Sequence, residues 1–146
     1  MKKITLILFL LLVSTSAHAS DETAQLAVSG YDVVSYFTDS KAVRGSGFNL
    51  STHEGETYLF SSKENKAKFD ASPAKFLPQY GGWCAYGASL GKKFYTNPEV
   101  FEVINGKLYL NLDSSIQEKW SKDKSGFIKS ADSKWKEIEN TKASSL

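Results

Sequence analysis

Phe101-Glu102-Val103-Ile104-Asn105-Gly106-Lys107-Leu108-Tyr109-Leu110-Asn111-Leu112 carries the strongest local signal in the chain. Asn-Gly between two apolar runs favours a type I′ turn, because both central residues of that turn need positive φ. The return run alternates, with Leu108, Leu110 and Leu112 on one face and Lys107, Tyr109 and Asn111 on the other. The stretch reads as a β-hairpin with one buried face. A second hairpin is expected upstream, from Phe48–Thr52 and Thr57–Phe60 about the turn His53-Glu54-Gly55-Glu56.

Helical signals surround the hairpins. Ser61-Ser62-Lys63-Glu64 forms a capping box with Ser61 as N-cap, opening a helix to about Asp70 that turns Ala67 and Phe69 inward. Pro73 opens a second short helix carrying Phe76 and Leu77. Trp83 to Leu90 reads as a third, closed by Gly91. Ser114 with Gln117 starts a helix through Trp120 to about Lys122. Ser125-Gly126 then separates it from a last helix holding Phe127, Ile128, Ala131, Trp135 and Ile138 at helical spacing. Tyr31–Phe37 is rich in β-branched and aromatic residues and reads as a short strand or extended buried segment. Hairpins alternating with helices, without βαβ periodicity, indicate an α+β fold: a compact single domain over residues 26–139. Tyr58, Phe60, Phe69, Phe76, Trp120 and Trp135 are the expected core. No internal repeat is legible. Residues 140–146 read as a disordered tail.

The first residues read as a secretory signal. Lys2 and Lys3 precede an apolar run from Ile4 to Val13, and Ala17-His18-Ala19 is a small-x-small cleavage site. The run is about ten residues, half of the roughly 20 that a spanning helix needs. Cleavage after residue 19 predicts a periplasmic or otherwise secreted chain with no stable membrane span. It also removes Met1, His18 and two of the 18 basic residues, so 16 basic side chains face 16 acidic ones and the formal net charge is zero. Nucleic-acid binding therefore lacks its electrostatic footprint.

One cysteine, Cys84, lies in Pro78-Gln79-Tyr80-Gly81-Gly82-Trp83-Cys84-Ala85. A lone thiol in an exported chain has no internal disulfide partner, so it is hidden, paired with another molecule, or used. The Gly-Gly pair upstream suits a helix start at Cys84, where free amides and the helix dipole would lower the thiol pKa. The bland reading is a buried cysteine packed beside Trp83 and Tyr86.

These segments together resemble the YHS-domain family, in particular its small exported single-domain branch. The resemblance is carried by Val28–Phe37, by Tyr58–Asn65 with Phe69, by Pro73 and Pro78–Ala85, and by Asn105–Asn111, in that order, over roughly Leu26 to Ile138. It implies a compact metal-binding module. The wider family's metal thiolates do not carry over: Ser61-Ser62 and Glu64-Asn65 fill their places near the helix start, and Tyr31–Phe37 lacks the first-strand cysteine. Only Cys84 does.

The candidate chemistry is narrow. A structural zinc site wants four N or S donors, and the mature chain offers one Cys and one His, His53. A soft ion such as copper would need Cys84 with oxygen donors, Asp32 foremost and Tyr36 next. Tyr31, Tyr36, Tyr80, Trp83, Tyr86 and Tyr95, set among Gly81, Gly82, Gly87 and Gly91, could wall a small-ligand pocket or simply form an aromatic core. No carboxylate pair sits where its two pKa values would be driven apart. The sequence favours a non-catalytic binding or accessory protein. Its site would be Cys84 and Asp32 for a metal, and Tyr31, Asp32, Tyr36, Tyr80, Gly81, Gly82, Trp83 and Tyr86 for a ligand. Two alternatives stand beside it: a thiol-dependent redox or small-molecule enzyme using Cys84, and a protein-interaction module in which Cys84 is core.

Overall fold

The computed structural model describes residues 25–146; the segment read as a secretory signal lies outside the described residues. The elements run α1 (Ser35–Thr38), β1 (Ser46–His53), β2 (Glu56–Phe60), α2 (Lys63–Ala71), α3 (Ala85–Ser89), β3 (Phe101–Ile104), β4 (Lys107–Leu110), α4 (Ser114–Ser121) and α5 (Lys124–Ile138). Short 3-10 turns occur at Ala27–Gly30, Pro73–Lys75, Gln79–Gly82 and Ala143–Ser145, the last within the segment read as a tail. The fold is α+β, with two separate antiparallel hairpins, β1–β2 and β3–β4. Asn105 and Gly106 adopt φ of +51° and +73°, the two positive angles the type I′ turn demands. β3 and β4 pair in unbroken register from Phe101↔Leu110 to Ile104↔Lys107.

Several local expectations are corrected. Tyr31–Phe37 is not a strand. Tyr31 makes one antiparallel bridge to Arg44, and the chain then turns into α1. Asp32 drives this: its Oδ1 accepts the Val34 amide at 2.9 Å, an Asx-type turn that outcompetes the β-preference of the side chains. The N-cap of α2 is Ser62, which accepts from the Asn65 amide at 3.1 Å. Asn65, not Ala67, joins Phe69 in the interior. α4 is capped by Asp113, through the Ile116 amide, instead of Ser114. The break before α5 falls at Asp123, whose side chain accepts from the Gly126 amide, so Ser125-Gly126 lies inside the helix.

The structure also holds a repeat that the sequence conceals. Leu26–Ala71 and Pro78–Lys122 are built alike. Each opens with an extended residue that makes a parallel bridge to the return strand of its own hairpin, Leu26↔Thr57 and Pro78↔Leu108. Each continues into a left-handed turn, with Val28 and Ser29 at φ +47° and +53°, and Tyr80 and Gly81 at +56° and +57°. The turns close identically, by the Tyr31 amide on Val28 O and the Trp83 amide on Tyr80 O, both 3.0 Å. The following amides donate to Val43 O (Asp32, 2.8 Å) and to Phe94 O (Cys84, 3.0 Å). A short helix, a hairpin with two positive-φ turn residues, and a capped helix follow in both. Phe69 and Trp120, each seven residues past its cap, are fully buried.

Each unit has its own core. Val33, Val34, Tyr58, Phe60, Phe69 and Phe76 form the first; Tyr80, Ala85, Ala88, Tyr109, Trp120 and Ala131 the second. The second is completed by α5, which packs on α3 and has no counterpart in the first unit. A third cluster, Tyr31 and Tyr36 against Leu108 and Leu110, seals the two units together. The alternation of β4 thus serves two cores, with Leu108 and Leu110 in the seam and Tyr109 in the second unit.

Candidate functional site

Cys84 and Asp32 occupy the same position in the two units, and both are buried. Asp32 Oδ1 accepts the Val34 amide. Its Oδ2 accepts from the Ser61 amide at 2.8 Å, Ser61 Oγ at 2.6 Å and Asn65 Nδ2 at 2.8 Å. Ser61, expected as a helix cap, instead ties α2 to this carboxylate. Cys84 is N-cap of α3, with Sγ accepting the Gly87 amide and donating to Asn111 Oδ1, each at 3.4 Å. Burial pushes the thiol pKa up; the amides of Gly87, Leu112 and Tyr86 pull against it, and the net shift is upward. Tyr86 corresponds to Val34, but its amide donates to Asn111 Oδ1 at 3.1 Å, so in the second unit the Asn111 carboxamide takes the amide that the Asp32 carboxylate takes in the first. The lowered thiol pKa expected from a helix start is reversed, because desolvation outweighs the amides.

A polar chain leads outward from the sulfur. Asn111 Nδ2 donates to Gln117 Oε1 at 2.6 Å, Gln117 Nε2 donates to Glu102, and Glu102 pairs with Lys124. Asn111 is fully buried and Cys84 is 1% exposed. These partners fit a structural role and do not fit a resident soft metal ion. Both Asp32 oxygens are engaged, Cys84 and Asp32 share no hydrogen-bond partner, and among the described residues no three of His, Cys, Asp and Glu come together as a metal site.

The aromatic candidates divide. Tyr31 and Tyr36 lie in the seam, their hydroxyls donating to Glu99 Oε1 at 3.0 Å and to Pro98 O at 2.9 Å. Tyr80 is in the second core and donates to Asp132 Oδ1 at 2.9 Å. Burial first, and the neighbouring carboxylate second, raise its pKa. Tyr86 packs edge-on against Phe127, with ring centroids 5.1 Å apart.

Tyr36 also borders a separate cavity of about 870 Å³ beside Phe37, Phe76 and Val103, away from the other candidates, and Gly81, Gly82 and Trp83 are the members that come together on one open surface. They line a groove of about 440 Å³ between the two units. Its opposite wall is the left-handed turn of the first unit, with Leu26, Val28 and Ser29, and Glu56 of β2; Pro78, Tyr95 and Thr96 complete it. Trp83 and Tyr95 stack at 5.1 Å with rings tilted by 40°, and Tyr95 is 81% exposed. Thr96 Oγ1 donates to Gly82 O at 3.1 Å, holding Tyr95 beside the glycine turn. Glu56, Thr96 and the turn at Val28-Ser29 carry no local signal. A β-branched residue in left-handed conformation is rare, and nothing in the sequence marks Val28 for it.

No family model, curated protein or solved structure matches this chain. No helix among the described residues is long and apolar enough to cross a membrane.

Proposed function

We propose that this chain is an exported, non-catalytic binding protein of YHS type that takes a small ligand in the groove between its two units. Cys84 acts as the structural post behind the groove. The observation that carries this reading is the coincidence of strain, aromatic surface and cavity at one place. Left-handed non-glycine residues cost of order 1–3 kcal/mol each and persist where the surroundings over-determine them, often at ligand clamps. Val28 and Ser29, both in that region, line the groove, and Trp83 and Tyr95 present their rings to it. The walls mix aromatic surface, exposed backbone and a few polar groups, as small-molecule sites do.

This modifies the reading centred on the thiol. The ligand meets Trp83 and the glycine turn, and the sulfur lies behind them. A metal or nucleophile role for Cys84 draws less support, since its neighbours are backbone amides and Asn111, and the thiol is held protonated.

The test is native mass spectrometry of protein purified gently from the periplasm without chelators. The account predicts a co-purifying small molecule in the wild type, retained in Cys84→Ser and lost in Trp83→Ala. A copper mass lost in Cys84→Ser and kept in Trp83→Ala would overturn it in favour of the thiol site.

A further inference from the structure

The two units differ at one pair of equivalent positions in a way that identifies a ligand class. In the first unit the residue after the left-handed turn is Tyr31, and the residue bridged to it is Arg44, whose guanidinium carbon lies 4.7 Å from the Tyr31 ring centroid. A carboxylate from the other unit, Glu99, accepts the Tyr31 hydroxyl. The first unit therefore fills its own aromatic seat with a cation, and an acid of the second unit stands beside it. In the second unit Trp83 replaces Tyr31. The Arg44 position is taken by Tyr95, since Val43 O and Phe94 O accept equivalent amides and Arg44 and Tyr95 follow them. Again an acid of the other unit is present, Glu56, on the wall of the same groove. Here the groove side of the seat holds an aromatic pair and a carboxylate, and among the described residues no cation lines it.

Among the described residues Glu56 is the one charged side chain in the groove lining. Its Oε2 accepts from Tyr58 at 3.1 Å, leaving the other oxygen without a recorded partner among the described residues. Lys93 lies 5.8 Å from the Trp83 ring, but its Nζ is held by the carbonyls of Glu139 and Thr141 and it does not line the groove. We infer that the groove takes a small organic cation, an alkylated ammonium or guanidinium. Its head would rest on Trp83 and Tyr95 and against Glu56, in the seat that Arg44 fills in the first unit. This rests on the groove reading above and assigns the chemistry of its ligand. Aromatic faces attract such cations through the ring quadrupole, most strongly at Trp, and a nearby carboxylate adds charge complementarity.

The test is an NMR titration of the mature chain, following the Trp83 indole, with choline, ethylguanidinium and 3,3-dimethylbutan-1-ol, the uncharged carbon isostere of choline. Both cations are expected to bind, with the neutral isostere weaker by about 5-fold or more. Glu56→Gln is expected to erase that advantage. Tyr95→Arg, which restores the first unit's residue, is expected to block both cations and leave thermal unfolding unchanged. If the isostere binds as tightly as choline, the cation assignment fails while the groove stands. If none of the three moves the Trp83 indole, the cation assignment also fails, and the co-purification experiment still decides the groove separately. Tyr95→Arg binding choline as the wild type does would equally overturn the assigned seat.

Discussion

Asp32 and Cys84 show how one backbone position can carry two chemistries. Each sits just past a left-handed turn and accepts a backbone amide of the following turn, Val34 for Asp32 and Gly87 for Cys84. Asp32 uses the site fully, and removing its carboxylate would leave four donors facing nothing. Asp32→Ala is therefore expected to cost about 3 kcal/mol, read as a lowered urea midpoint. Cys84→Ser keeps an acceptor for the Gly87 amide and loses sulfur packing, so about 1–2 kcal/mol is expected. Native Cys84 should also react with a thiol reagent far more slowly than the unfolded chain. Fast native labelling would contradict the burial. That Cys84 lacks an internal disulfide partner was legible from its being the one cysteine of the chain. Its partner Asn111 was not, because the two lie on separate elements and only the register of β4 brings them together.

At the scale of elements, the Asn105-Gly106 hairpin was readable because its turn demands particular residues, and few others satisfy two positive φ values. Caps were readable only to within a residue. Ser61 and Ser62 are chemically alike, and long-range contact with Asp32 decides that Ser61 ties down the carboxylate while Ser62 caps α2. Tyr31–Phe37 misled because its composition favours a strand while the Asp32 turn dictates otherwise. The left-handed turns yield a sharper prediction. Gly81 in the second unit corresponds to Ser29 in the first, at nearly the same φ. Ser29 is exposed, so Ser29→Gly should relieve strain with little lost packing. A gain of about 1 kcal/mol is expected from the usual cost of left-handed L-residues. Thermal unfolding measures it, and a lower midpoint would show that the turn is not strained.

For the whole molecule, the α+β class was legible from alternating hairpins and helices, but the duplication was not. The two units share bridges and turns formed by backbone atoms and a side-chain cap at the same place, while the side chains at equivalent positions differ: Asp32 against Cys84, Arg44 against Tyr95, Ser62 against Asp113. Backbone geometry tolerates such divergence where each unit's core keeps its volume. The groove exists only because two such units meet, so no single segment announces it. The buried acids of the fold also set its pH response. Burial raises the pKa of Cys84 and of Tyr36, Tyr58 and Tyr80. For groups raised in the folded state, the stability they contribute is intact below their ordinary values, 9.0 for the thiol and 10.0 for the phenols. Above those values the unfolded chain ionises first, and the stability is lost as pH climbs toward the folded values. Urea midpoints should hold steady to about pH 8.5 and fall beyond it, with the onset moved upward in Cys84→Ser. A flat profile through strongly alkaline pH would contradict this burial pattern.

The central claim is that ligand enters the groove between the units, at Trp83, and leaves the packed interior undisturbed. The three indole N–H signals of the protein separate these places, because Trp83 lines the groove while Trp120 is sealed in the second core. Adding the small-molecule fraction of a periplasmic extract to isotope-labelled protein should shift the Trp83 indole and leave Trp120 in place. A shift at Trp120 with Trp83 unmoved would place binding in the interior beside α3 and contradict the account.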